Sequence, residues 1–224
     1  MWRTLALLTL ALLPVTAASS ARHPEAELAL DVLEPPRPGR VPEAAPSRFV
    51  LQDGGRVFVG GTSRIAAGRL EKLELKDIEK LVALVRKLPG LGSSVTLGPG
   101  DTQYRLWLRR GRGVEIVAKG DPAAAPQALR PLAQLLERLS AFNHASLVPL
   151  PPTQLVVSAR EERLDGGCRQ WTLPAPLADV LVEPRLITAD AARGWPTGAV
   201  AASVCAGDKR YSVALRPLMP GERP

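Results

Sequence analysis

Arg48-Phe49-Val50-Leu51-Gln52-Asp53-Gly54-Gly55-Arg56-Val57-Phe58-Val59 is the stretch from which the fold is read. Two runs of β-branched and aromatic residues flank an Asp-Gly step. Glycine tolerates the positive φ that a tight hairpin turn requires, so the stretch predicts strand, turn, strand. A third short strand is expected around 69–75. From 75 to 88 the apolar period lengthens to that of a helix, with Ile78, Leu81, Val82, Val85 and Leu88 on one stripe. Asp77 and Glu79 at its start and Arg86 and Lys87 at its end suit the helix dipole. Pro89-Gly90 ends it.

The pattern recurs downstream. Tyr104-Arg105-Leu106-Trp107-Leu108, an Arg/Gly-rich turn and Val114-Glu115-Ile116-Val117 predict a second hairpin. A helix over 128–141 follows, with Leu129, Leu132, Leu135, Leu136 and Leu139 on its apolar face. The fold class read from this is α+β: an antiparallel sheet built from two ββα units, with both helices on one face. Whether the units are a duplication or two similar ways to cover a sheet is left open by the pattern. The ββα–ββα domain spans 48–147. Before it, 22–47 reads as a Pro-rich linker holding one short strand, Leu28 to Leu33. After it, Val148-Pro149-Leu150-Pro151-Pro152 reads as a stiff connector. The last region, 153–224, is expected to be small and β-rich, either separate or continuous with the first sheet. Its strands are placed at 154–159, 169–173, 199–205 and 210–215, and Thr188 is expected to cap a short helical turn.

The N-terminus reads as a secretory signal peptide over 1–21. Arg3 is followed by an apolar run from Leu5 to Leu13, by Pro14, and by the small residues before Ala21. Cleavage is placed between Ala17 and Ala21. The competing reading, an uncleaved anchor, is disfavoured because the run is about half the ~20 residues that a spanning helix needs. The expected location is therefore extracytoplasmic: secreted, periplasmic or cell-surface, with no transmembrane span in the mature chain. Apolar residues make up 46% of the chain, enough for a packed core and against wholesale disorder. The formal net charge of +7 and the excess of Arg over Lys fit a GC-rich bacterial genome. A basic exported protein is drawn to anionic polymers and headgroups. The two cysteines, Cys168 and Cys205, are expected to form a structural disulfide, since exported thiols tend to oxidise in pairs.

Catalytic motifs are missing from the sequence. It has no Gly-x-Ser-x-Gly elbow, no His-Glu-x-x-His, no phosphate-binding glycine loop and no dinucleotide fingerprint. No catalytic residue, cofactor or metal is assigned. The two histidines, His23 and His144, read as a residue of the new N-terminus and a solvated or capping residue after a helix. Glu161, Glu162 and Asp165 are carboxylates that a fold-assembled hydrolase site could use, and they read more simply as a solvated turn. One binding candidate stands out: Arg105, Trp107, Arg109, Arg110 and Arg112 crowd a single hairpin. Arginine forks grip carboxylates and phosphates and stack on aromatic rings. The same run also reads as an ordinary solvated turn.

With these features in hand, the chain resembles a loose group of uncharacterised exported proteins from GC-rich bacteria. The resemblance lies in the leader, the hairpin 49–57, Leu73-x-Leu75-x-Asp77, and the ending Tyr211 to Gly221. It implies an exported α+β protein and brings no activity. The function expected is a non-catalytic binding or supporting component of the cell envelope. Its partner would be an envelope protein or an anionic envelope polymer, with no specific nucleic acid. The alternatives are an exported hydrolase using carboxylates, and a basic protein held on the anionic cell surface by charge alone.

Overall fold

The computed structural model describes residues 22–35, 47–60, 63–89, 91, 94–109, 113–162, 167–198 and 201–223. The leader expected over 1–21 lies outside them. The described chain mixes helices and strands, and its strands form two sheets.

The first sheet is built outward from β1 (Ala26–Leu33). On one side β1 pairs antiparallel with β2 (Ser47–Gln52), which continues through β3 (Arg56–Gly60) and β4 (Ile65–Arg69) to β8 (Val148–Leu150). On the other side it pairs antiparallel with β6 (Gln103–Leu108), followed by β7 (Val114–Lys119) and β5 (Ser94–Thr96). The turn between β2 and β3 carries Gly54 and Gly55 at φ 71° and 78°, as its Asp-Gly signal predicts. The strand expected inside the linker is thus the one joining the two hairpins. The first unit has three hairpin strands, with the third at 65–69 instead of 69–75. Val148–Leu150, which its prolines mark as a connector, adds an edge strand to β4. The sheet is not wholly antiparallel, since β5 joins β7 in parallel.

Two helices cover one face of this sheet, α1 (Lys72–Arg86) and α2 (Arg130–Ser140). α1 begins a turn earlier than its apolar stripe suggests, because Glu71 and Glu74 form a reciprocal capping box that satisfies free N–H groups at the helix start. Leu28 and Leu30 of β1, Phe49 and Leu51 of β2, and Leu106 and Leu108 of β6 alternate toward this face. There they pack on Ile78 and Val85 of α1 and on Leu132, Leu135, Leu136 and Leu139 of α2. The opposite face presents Ala29, Val50, Ile65 and Trp107, and Met219 of the C-terminal segment packs against them.

The second sheet runs β10 (Arg169–Gln170), β12 (Ala202–Ala206), β13 (Lys209–Pro217), β9 (Gln154–Glu161), β11 (Arg185–Thr188). All its pairs are antiparallel except β10 with β12. Tyr211, Val213 and Leu215 share one face, as their alternation predicts. They pack with Leu155, Val157, Trp195 and Val180 of a short helix, α3 (Leu177–Val182). Thr188 Oγ1 accepts from the Ala191 N–H at 3.3 Å, one residue ahead of Ala189, which caps a single helical turn, Asp190–Ala192, without a side-chain bond. Cys168 and Cys205 form a disulfide with Cα atoms 5.5 Å apart, stapling the short β10 edge to β12.

A buried ionic cluster links Arg22, His23 and Glu222 with both sheets. Glu222 accepts from Arg216 of β13 at 2.6 and 2.9 Å and from Arg22 Nε at 2.8 Å. Arg22 also donates to Asp31 of β1 at 2.9 Å, and His23 Nε2 lies 3.3 Å from the other oxygen of Asp31. His23, expected at a loose N-terminus, is therefore buried. The Arg223 N–H donates to Arg22 O at 2.7 Å, placing these two residues side by side.

Candidate functional site

Helix α1 has a cleft on each side. The larger, of about 450 Å³, opens between α1 and the β2–β3 turn. Its floor is apolar, from Leu28, Leu51, Leu75, Ile78 and Val82, and its rim carries Glu27, Glu79 and Arg86. Leu28 and Leu51 reach it because the alternation of β1 and β2 turns them toward the helix layer. A cavity of this size takes a small amphipathic molecule or one or two apolar side chains of a partner.

The smaller cleft, of about 380 Å³, lies between α1 and the chain that follows α2. Glu74, Arg138, Asn143 and His144 line it over Leu70, Ile78 and Phe142. Here His144 has the partners that its lone position in the sequence concealed. Its Nε2 is 2.6 Å from Glu74 Oε1 and its Nδ1 is 2.7 Å from Ser146 Oγ. The Ser146 N–H also donates to Nδ1 at 3.2 Å. The Glu74 carboxyl is held below its ordinary pKa first by the Glu71 N–H of the capping box. Burial opposes this, while His144 and the Arg138 charge add to it.

Serine, histidine and glutamate in a row suggest nucleophilic catalysis, but the geometry points elsewhere. Ser146 Oγ accepts from Arg69 N–H at 3.2 Å and donates to Arg69 O at 3.0 Å, so the hydroxyl is docked onto the end of β4. It does not line the cleft. Gly68 makes the docking possible, since a Cβ there would sit 2.7 Å from Ser146 Oγ. The row is a clamp that fixes the 141–147 segment between β4 and α1. Ser146→Ala is expected to cost about 1 kcal/mol, the usual net worth of such hydrogen bonding. Urea unfolding checks it, and a loss under ~0.3 kcal/mol would mean the clamp bears no load. A glycine inside a strand often marks a close backbone approach, and Gly68 was the available signal for this contact.

The arginine-rich hairpin is only partly within the described residues, because Arg110 and Arg112 lie outside them. Arg105 is half-buried and Arg109 exposed. Trp107 turns away from the helices and joins the cluster beneath Met219, with Ala29 opposite it on β1. A Cβ at Gly113 would collide with the Trp107 ring, so Gly113 lets the indole lie flat against its own hairpin. Among the acids weighed for a hydrolase, Glu161 pairs with Lys209 at 2.9 Å and Glu162 with Arg160 at 2.9 Å, while Asp165 lies outside the described residues. Neither described acid lines either cleft.

Among the described residues, no helix is long and apolar enough to cross a membrane. Comparison of the chain with protein-family models, curated proteins and solved structures finds no match.

Proposed function

We propose that the protein is a non-catalytic, extracytoplasmic component of a bacterial cell envelope that binds or supports an envelope protein through the larger cleft beside α1. The observation that carries this reading is the composition of that cleft, an apolar floor ringed by charges of both signs. Such a surface accepts an apolar side chain while its rim pairs with the polar groups flanking that side chain. Glu74 and His144 of the neighbouring cleft are engaged in a clamp, which supports binding over catalysis. The leader, the disulfide and the resemblance to exported proteins support the location.

The test fills the cleft. Ala83 is exposed and lines it, so Ala83→Trp blocks entry without disturbing the core. Tagged mature protein is cross-linked in its own envelope and recovered after a high-salt wash. The expected result is one dominant protein partner with the wild type and its loss with Ala83→Trp. Equal recovery by both forms, or no partner surviving the wash, would overturn the proposal.

A further inference from the structure

We infer that the outer face of α1 is a docking surface for an anionic lipid bilayer. The chain has six lysines, and four of them, Lys72, Lys76, Lys80 and Lys87, lie on or next to this helix. At 100° per residue they fall within one quarter of its circumference, and all four are exposed. Arginine is the default cation elsewhere in this chain. Helix propensity does not explain the exception, because the two residues are nearly equal helix formers and α2 uses Arg130 and Arg138. A stripe of flexible ammonium groups suits a surface of mobile phosphate headgroups, where point charges adapt and fixed forks gain little.

A second observation selects lipid over a soluble polyanion. Leu73 and Leu84, three turns apart, border the lysine stripe and are 73% and 47% exposed. Apolar side chains beside a cationic stripe are what an interfacial helix pushes past the headgroups. The apolar stripe of α1 itself is occupied by the sheet, so docking is peripheral and reversible. Two acids border the stripe: Glu79 lies just beyond Lys72, and Asp77, on the other side, pairs with Lys80 at 3.0 Å while remaining exposed. The four lysines do not line the larger cleft, so it is the lysine substitutions that test this surface apart from the cleft proposed for a protein partner.

The experiment is co-sedimentation of the mature, disulfide-intact protein with vesicles of equal parts phosphatidylglycerol and phosphatidylcholine, and with phosphatidylcholine alone. The wild type is expected to bind the mixed vesicles and to be released by high salt. At about fivefold per lysine, replacing all four by Gln should weaken binding by on the order of a hundredfold or more. A charge-matched variant with Arg64, Arg193, Lys209 and Arg223 changed to Gln should lose less than ~tenfold, because those side chains lie off α1. Leu73→Ser with Leu84→Ser should weaken vesicle binding several-fold and leave binding to soluble heparin unchanged. Equal losses in the two charge variants would reduce the effect to net charge and overturn the inference. So would wild-type binding to neutral vesicles as tight as to anionic ones, or heparin binding with no vesicle binding. All substituted positions are exposed, and an unchanged Tm for each variant confirms that the fold is intact.

Discussion

Glu222→Ala is expected to destabilise the protein by about 3–5 kcal/mol, the usual consequence of removing one partner from a buried ion pair. The Glu222 side chain is wholly shielded and that of Arg216 is 3% exposed. Without the carboxylate, the Arg216 guanidinium keeps its desolvation cost and loses its carboxylate partner, while Arg22 keeps Asp31 and loses Glu222. The Met219 N–H, which donates to Glu222 at 3.0 Å, loses its acceptor as well. Urea unfolding measures the loss, and a value below ~1 kcal/mol would show that water reaches the cluster. Replacing both partners, Arg216→Met with Glu222→Leu, should cost much less, since apolar packing often substitutes for a buried pair.

The same cluster sets an acid dependence. Burial pushes the Glu222 carboxyl upward. The Arg216 hydrogen bonds and charge, the Arg22 charge and the Met219 N–H together outweigh it and hold the group below its ordinary value. A carboxyl with a depressed folded-state pKa contributes fully above its unfolded value, near 4.3, and that contribution is lost as pH falls through the folded value. The wild type should therefore lose stability below about pH 4.3 more steeply than Glu222→Gln. Parallel curves for the two forms would contradict the assignment.

Replacing Cys168 and Cys205 together by Ser is expected to cost about 4 kcal/mol in the chain-entropy account, given their separation of 37 residues. The position of the bridge argues for the full effect. β10 contributes only Arg169 and Gln170 to the second sheet, pairing with Val204 and Cys205. Two residues of parallel pairing are weak by themselves. Next to the bridge, Arg169 stacks over the Trp195 ring at 4.6 Å, and Trp195 meets Trp171 edge-on at 5.8 Å. Freed of the disulfide, this edge and its aromatic contacts should loosen together. Urea unfolding of the double variant, followed by tryptophan fluorescence, reads both the energy and the site. An unchanged midpoint would mean that the bridge adds nothing to the folded state.

The two hairpins, the two helices and the cysteine pair were legible because each rests on local physics. Asp53-Gly54 specifies a turn whatever surrounds it. Ile78, Leu81, Val82 and Val85 specify a helical stripe by spacing alone, and a chain with two cysteines in all offers only one intrachain pairing. The start of α1 was misplaced by about a turn because Glu71 and Glu74 cap each other through side chains, which an apolar period does not register.

The sequence by itself determined that this is an α+β chain with amphipathic helices and a stapled C-terminal region. The tertiary structure alone decided how those parts are joined. Leu28 to Leu33 looked like one strand in a linker, and pairing on both edges made it the strand between the two hairpins. Val148 to Leu150 looked like a connector until the open edge of β4 took it up. His23 read as a residue of a loose N-terminus, and Arg22, Asp31 and Glu222 bury it in an ionic cluster. His144 read as a lone histidine until Glu74 and Ser146 met it. Each of these depends on partners distant in the chain, and a pairing energy that exists only after loop closure leaves no periodic mark on either partner's neighbours.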